Sequence, residues 1–175
     1  FIKFNNLPLI NKNIEYSINP HDNFWINRYY DILFNIDYNN NNFFIKNLCI
    51  NYLSTLEWTF KYYTDNCYDY LFTYNYTYAP LLSDLYKFIP SYNYEFIKKK
   101  DNNNIITPIL QLSYVLPKES LYLIYDIKIQ NIIYNYKLKY DANISISWSY
   151  CKYFWESHIE FDINSNLEYI KQLII

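Results

Sequence analysis

Glycine and methionine are both absent from the 175 residues. Without glycine, any turn that needs a positive φ must fall on another residue, and Asn and Asp are the expected substitutes. The Asn runs at 39–42 and 102–104 stand where such turns are expected, inside solvated low-complexity loops. Without methionine, residue 1 is no initiator, so the chain is expected to be an excerpt of a longer protein. Cysteine and histidine are scarce. Cys49, Cys67 and Cys151 have no zinc-ligand spacing, and His21 and His158 are isolated. This argues against a zinc site and a disulfide framework, and the thiols are read as reduced and mostly buried. No Walker loop and no Ser-His-Asp order is present. No apolar run approaches the length needed to span a membrane. A large basic excess is missing too: 15 basic against 17 acidic residues leave a net charge of −2. That excludes a free-standing electrostatic nucleic-acid binder. The basic run at 98–100 reads as an exposed helix end or loop.

What is present is aromatic. Hydrophobic residues make up 51% of the chain, with 24 Tyr and 12 Phe, enough to bury a sizeable core in one domain. The abundance of Asn, Ile, Lys, Tyr and Phe points to an AT-rich coding sequence.

Periodicity places the elements. Residues 1–20 have no strong period and read as an extended lead-in. Asp22 is the expected cap of a helix running to Phe34. Ile45, Leu48, Cys49, Tyr52, Leu53, Leu56, Phe60 and Tyr63 recur at steps of three and four, predicting a helix of about six turns with one broad apolar face. A short helix over 81–88 stops at Pro90. Thr107 caps a helix with Pro108 at its first position, ended by Pro117. A further turn or two of helix is expected over 119–126. Partial alternation over 132–140 and 144–154 predicts a hairpin turning at 141–143. Ser165 and Glu168 form a capping box for a last helix. The fold class is therefore mainly α: a single irregular helical domain over 1–175, with a long central amphipathic helix, an aromatic loop and a small C-terminal β-hairpin.

Between the long helix and Pro80 nearly every second residue is a ring: Tyr68, Tyr70, Phe72, Tyr74, Tyr76 and Tyr78. If extended, this loop turns one set of rings inward and leaves Leu71, Thr73, Asn75 and Thr77 on the other side. Most of the rings are then packing, with hydroxyls tied to backbone groups. The acids are scattered rather than gathered as a two-metal nuclease requires. Glu57 and Asp84 read as buried acceptors that orient the loop.

The run Leu56-Glu57-Trp58, Tyr62-Tyr63, Cys67, Tyr74, Tyr76, Tyr78-Ala79-Pro80 and Ser83-Asp84 resembles the second conserved region of the Xrn-type 5′→3′ exoribonucleases. Trp25 with Arg28-Tyr29-Tyr30 looks like the family's first helix of this region. Pro108, Gln111-Leu112, Val115-Leu116-Pro117 and Ser120-Leu121 look like its proline-bounded helix pair. Residues 148–162 resemble its Trp-containing hairpin. The resemblance spans roughly residues 22–163.

It implies a helical region that packs on an intramolecular nuclease domain and helps to wall the channel admitting single-stranded RNA with a 5′-monophosphate. The metal-binding acids and their Mg2+ are implied to lie in that preceding domain, outside this chain. Cytoplasmic mRNA decay is the implied setting. A loop ring is implied to stack on a base, with Tyr70, Phe72 and Tyr74 as the candidates. Trp25, Arg28, Glu57, Trp58, Pro80 and Asp84 are implied to be the structural motif. Relatives usually carry Trp at the Tyr70 and Phe72 positions, Pro and His at Asn75 and Thr77, and Gly at Thr55, so this chain resembles a divergent member. The alternatives are a degenerate, non-catalytic RNA-binding or scaffold module of the same fold, and an unrelated helical domain shaped by codon bias.

Overall fold

A computed structural model describes residues 9–99, 107–116, 118–135 and 144–161. Among these residues the chain is mainly helical with one two-stranded antiparallel sheet, the fold class read from the sequence. It divides into two compact units, one of residues 11–105 and one of residues 1–10 with 106–175.

Among its described residues the first unit holds three α-helices: α1 (Trp25–Phe34), α2 (Asn42–Thr64) and α3 (Leu82–Lys87). Its core is Tyr30 from α1, Ile45, Leu48 and Cys49 from α2, and Leu85 from α3. The apolar period in α2 explains its 23 residues, but the face is covered only at its start. Ile45, Leu48 and Cys49 are buried, whereas Leu56, Phe60 and Tyr63 on the same line are exposed.

A 3-10 helix, Lys12–Ile18, occupies the stretch expected to be an extended lead-in. Its weak period hid it, because successive side chains of a 3-10 helix line up every third residue. Arg28 secures it: the guanidinium donates to the Ser17 carbonyl and to the Asn23 carbonyl. The helix expected from Asp22 begins at Trp25 instead. Asp22 accepts from the Asn19 amide, and Phe24 precedes α1 in the left-handed region.

The expectation for positive φ therefore held in part. Asn35 closes α1 at φ 55°, its N–H reaching the Tyr30 and Asp31 carbonyls. Phe24 and Cys151 also take positive φ, although neither is Asn or Asp. Residues 39–42 do not. There Asp37 accepts from the Asn39 N–H and the Asn40 side chain, while the Asn41 side chain donates to the Asp37 carbonyl. Side-chain acceptors build that turn without left-handed backbone.

In the second unit α4 (Pro108–Val115) starts as its sequence dictates. The Thr107 hydroxyl accepts from the Leu110 N–H at 3.3 Å, and Pro108 sits where no donor is needed. A 3-10 helix follows at Lys118–Leu123. Then comes α5 (Ile127–Asn135), capped by Asp126, whose Oδ1 accepts from the N–H groups of Lys128 and Ile129. This corrects the strand expected from 132: residues 132–135 are helical. The β-branched Ile132 and Ile133 favour strands, but the Asp126 cap and the preceding isoleucines at helical spacing prevail.

Strands β1 (Ile144–Ser147) and β2 (His158–Phe161) pair antiparallel, Ile144 opposite Phe161 and Ser147 opposite His158. The hairpin thus joins different segments from those expected, and β1 ends at Ser147 rather than at 154. The loop between its strands is held by the Trp148 Nε1–H donating to the Lys152 carbonyl and by Phe154 packed edge-on against Trp148. The expected turns at 102–104 and 141–143, the stop at Pro117, residues 136–140 and the capping box at 165–168 lie outside the described residues.

Candidate nucleic-acid interface

The loop from 65 to 81 runs along α2, and its rings alternate. Phe72, Tyr74, Tyr76 and Tyr78 are half-buried, while Leu71, Thr73, Asn75 and Thr77 are exposed. Each inward ring docks on one helical ring. Phe72 stacks on Trp58 at 5.8 Å and 17°, Tyr74 meets Tyr52 edge-on, Tyr76 meets Phe44, and Tyr78 meets Phe34. Centroid separations of 5.5–5.8 Å lie in the range where aromatic pairs attract beyond simple burial. Trp58 also stacks on Tyr62 at 5.3 Å, making a three-ring pile on the C-terminal half of α2.

Polar contacts fix the loop's register. Buried Asp69 accepts at its carbonyl from Trp58 Nε1–H, 2.9 Å, and at its carboxylate from the Leu71 N–H, 3.0 Å. The Asn51 side chain accepts from the Asn75 N–H, and the Tyr74 hydroxyl donates to the Tyr78 carbonyl. At the far end the Tyr29 hydroxyl donates to the Ala79 carbonyl, beside buried Pro80.

Two carboxylates anchor the loop's surroundings. Asp84, 1% exposed, accepts from the Tyr30 hydroxyl (2.8 Å), the Tyr38 hydroxyl (2.8 Å) and the Lys87 ammonium (2.7 Å). Burial alone would raise its pKa, but the bonds from Lys87, Tyr30 and Tyr38 hold it below the usual carboxylate range. Burial and the bond to Asp84 push the Tyr30 hydroxyl well above its ordinary value. A cleft of about 240 Å³ opens beside this cluster, lined by Tyr38, Asn39, Asn42, Ile45, Asp84, Lys87 and Phe88.

Glu57 accepts from Lys61 at 2.7 Å and from the Phe96 N–H at 2.7 Å. Burial opposes its charge, yet those partners lower its pKa. Lys61 was not singled out from the sequence, although its spacing of four from Glu57 on a helix is the readable sign of a pair. It also binds Glu95 and the Ile97 carbonyl, and it lies 4.4 Å over the Tyr68 ring.

Of the three candidate stacking rings, Tyr70 is 47% exposed, Phe72 is half-buried and stacked on Trp58, and Tyr74 is half-buried with its hydroxyl engaged. Trp25 opens α1 and lines a surface cleft of about 410 Å³ with residues 20–27. His21 and His158 are both exposed. None of the three cysteines forms a disulfide, but only Cys49 is buried. Cys67 is half-buried and Cys151 exposed, correcting the expectation of mostly buried thiols. Among the described residues no three His, Cys, Asp or Glu side chains converge as a metal-ligand set would require. No described helix is long and apolar enough to cross a membrane.

A comparison with curated proteins returned no match. The family model described as Xrn1 helical domain matches residues 12–127. That span contains α1 to α4, the ring-zippered loop, and the Asp84 and Glu57 anchors; the β-hairpin lies beyond it. With roughly two thirds of its length matched, the chain belongs to the Xrn1 helical domain family, the helical module of Xrn-type exoribonucleases.

Proposed function

We propose that this module packs on the nuclease domain of a 5′→3′ exoribonuclease and helps to wall the channel that admits single-stranded RNA bearing a 5′-monophosphate. Tyr70 is the leading base contact. Phe72 offers the rim of its stack, and Tyr74 holds the loop from beneath. The observation that carries this reading is the Tyr70 ring: it stands half in water on a loop whose neighbouring rings are locked onto α2. A nuclease indifferent to sequence must grip what all nucleotides share, and a base on an aromatic face gains about 1–3 kcal/mol whichever base it is. Rings fixed before binding lose little conformational freedom when the base arrives.

Hydrolysis and the Mg2+ it needs are assigned to that nuclease domain, and no step of it to these side chains. The setting is cytoplasmic mRNA decay.

The test is to incubate the full-length protein with 5′-monophosphorylated and with 5′-capped single-stranded RNA, with and without magnesium. Decay of the monophosphorylated RNA alone, dependent on magnesium, is the expected result. RNA that is bound but left intact would replace this reading with a non-catalytic scaffold.

A further inference from the structure

Beyond α3 a second run of alternating rings appears at Tyr92, Tyr94 and Phe96. They form an edge-to-face chain, with centroids 6.1 Å and then 4.8 Å apart. Tyr92 is 70% exposed and Tyr94 50% exposed, while Ile97 just beyond them is buried. The foot of the segment is bolted to α2. Glu57 accepts from the Phe96 N–H at 2.7 Å, and Lys61 reaches Glu95 at 2.8 Å and the Ile97 carbonyl at 2.9 Å. The fold thus fixes residues 95–97 and leaves two large rings in water.

Edge-to-face contact leaves π-face area uncovered. Lys98 and Lys99 follow directly, both exposed. The Glu95 carboxylate, which would repel a phosphate, is held by Lys61. The same ammonium lies over Tyr68, so one residue joins this segment to the aromatic loop.

We infer that residues 92–99 form a second stacking platform for single-stranded nucleic acid, taking bases on Tyr92 and Tyr94 and phosphates on Lys98 and Lys99. This rests on the reading of the aromatic loop given above and extends the bound strand beyond it. Rings with two adjacent cations match the alternation of flat base and anionic phosphate. An aliphatic protein surface would leave those cations without partners.

The probe is a fluorescein-labelled phosphorothioate oligouridylate of about 15 nucleotides, a length on the order of one such binding site. Its anisotropy is read on the full-length protein without magnesium. Replacing both Tyr92→Ala and Tyr94→Ala should weaken binding at least about tenfold, and the matching Phe variants should retain it. Lys98→Gln with Lys99→Gln should lower the salt slope by about one to two. Wild-type affinity in a folded double Ala variant would overturn the inference. Should that variant fail to fold, the Lys variants decide, and an unchanged salt slope overturns it. Tyr70→Ala, measured alongside, keeps the two readings apart. Loss in Tyr70→Ala only removes the second platform and leaves the loop reading standing. Loss in the double variant only does the reverse.

Discussion

The Tyr30 hydroxyl donates to Asp84 Oδ2 at 2.8 Å across 54 residues of chain, and both side chains are sealed from solvent. The bond ties α1 to α3 directly. The Leu81 N–H, 3.4 Å from the same hydroxyl, draws the end of the aromatic loop into the cluster. Asp84→Ala strands the buried Tyr30 hydroxyl and the half-buried Tyr38 hydroxyl, while the exposed Lys87 ammonium turns to water. Each buried group left unsatisfied costs about 1–3 kcal/mol, so a loss of about 2 kcal/mol or more is expected in denaturant unfolding. Tyr30→Phe removes one donor and leaves Tyr38 and Lys87, and should lose about half as much.

Acid should weaken the same cluster. Asp84 and Glu57 both have pKa values lowered by their partners in the fold. A lowered folded-state pKa contributes stability that is complete above the unfolded value, about 4, and disappears as pH falls through the folded value. Stability should therefore be flat near neutrality and fall below about pH 4. Asp84→Asn should show a shallower acid limb in a series of melts against pH.

Trp58→Ala should be a stability lesion. It removes the middle ring of the Tyr62–Trp58–Phe72 pile and the bond to the Asp69 carbonyl. About 3 kcal/mol is expected, the low end for truncating a large aromatic because Trp58 is half-buried. Trp58→Phe keeps a ring and loses one N–H bond, about 1 kcal/mol. Chemical denaturation separates the two values.

The thiols should alkylate in order of exposure. Cys151 is exposed, Cys67 half-buried, and Cys49 buried with its thiol pushed up to about 11 by burial. Because the thiolate is the nucleophile, iodoacetamide at neutral pH should label Cys151 first. It should reach Cys49 only at the rate of unfolding. Peptide mapping over time reads this directly; early labelling of Cys49 would contradict the packing around Leu48 and Tyr30.

Much of this fold was legible in residue spacing. The period of α2, the Thr107–Pro108 start of α4 and the in-out alternation of residues 71–78 all follow from local geometry. What escaped was settled by distant partners or by weak local signals. The β-branched residues at 132–133 suggested a strand until the Asp126 cap is weighed. The exposed end of the α2 stripe at Leu56, Phe60 and Tyr63 shows that period foretells a face, not what covers it. The candidate site was legible as a ring-rich loop. Which rings stand in water was not, because that depends on Trp58, Tyr52, Phe44 and Phe34 meeting their partners across the fold.

The most direct measurement is the decay rate of 5′-monophosphorylated single-stranded RNA by the full-length protein carrying Tyr70→Ala, beside Tyr70→Phe and wild type. Losing one stacked base, about 1–3 kcal/mol, predicts decay at least about fivefold slower for Ala, near-normal decay for Phe, and equal melting in all three. Decay of the Ala variant at the wild-type rate, with the fold intact, would contradict the assignment of this ring to the RNA path.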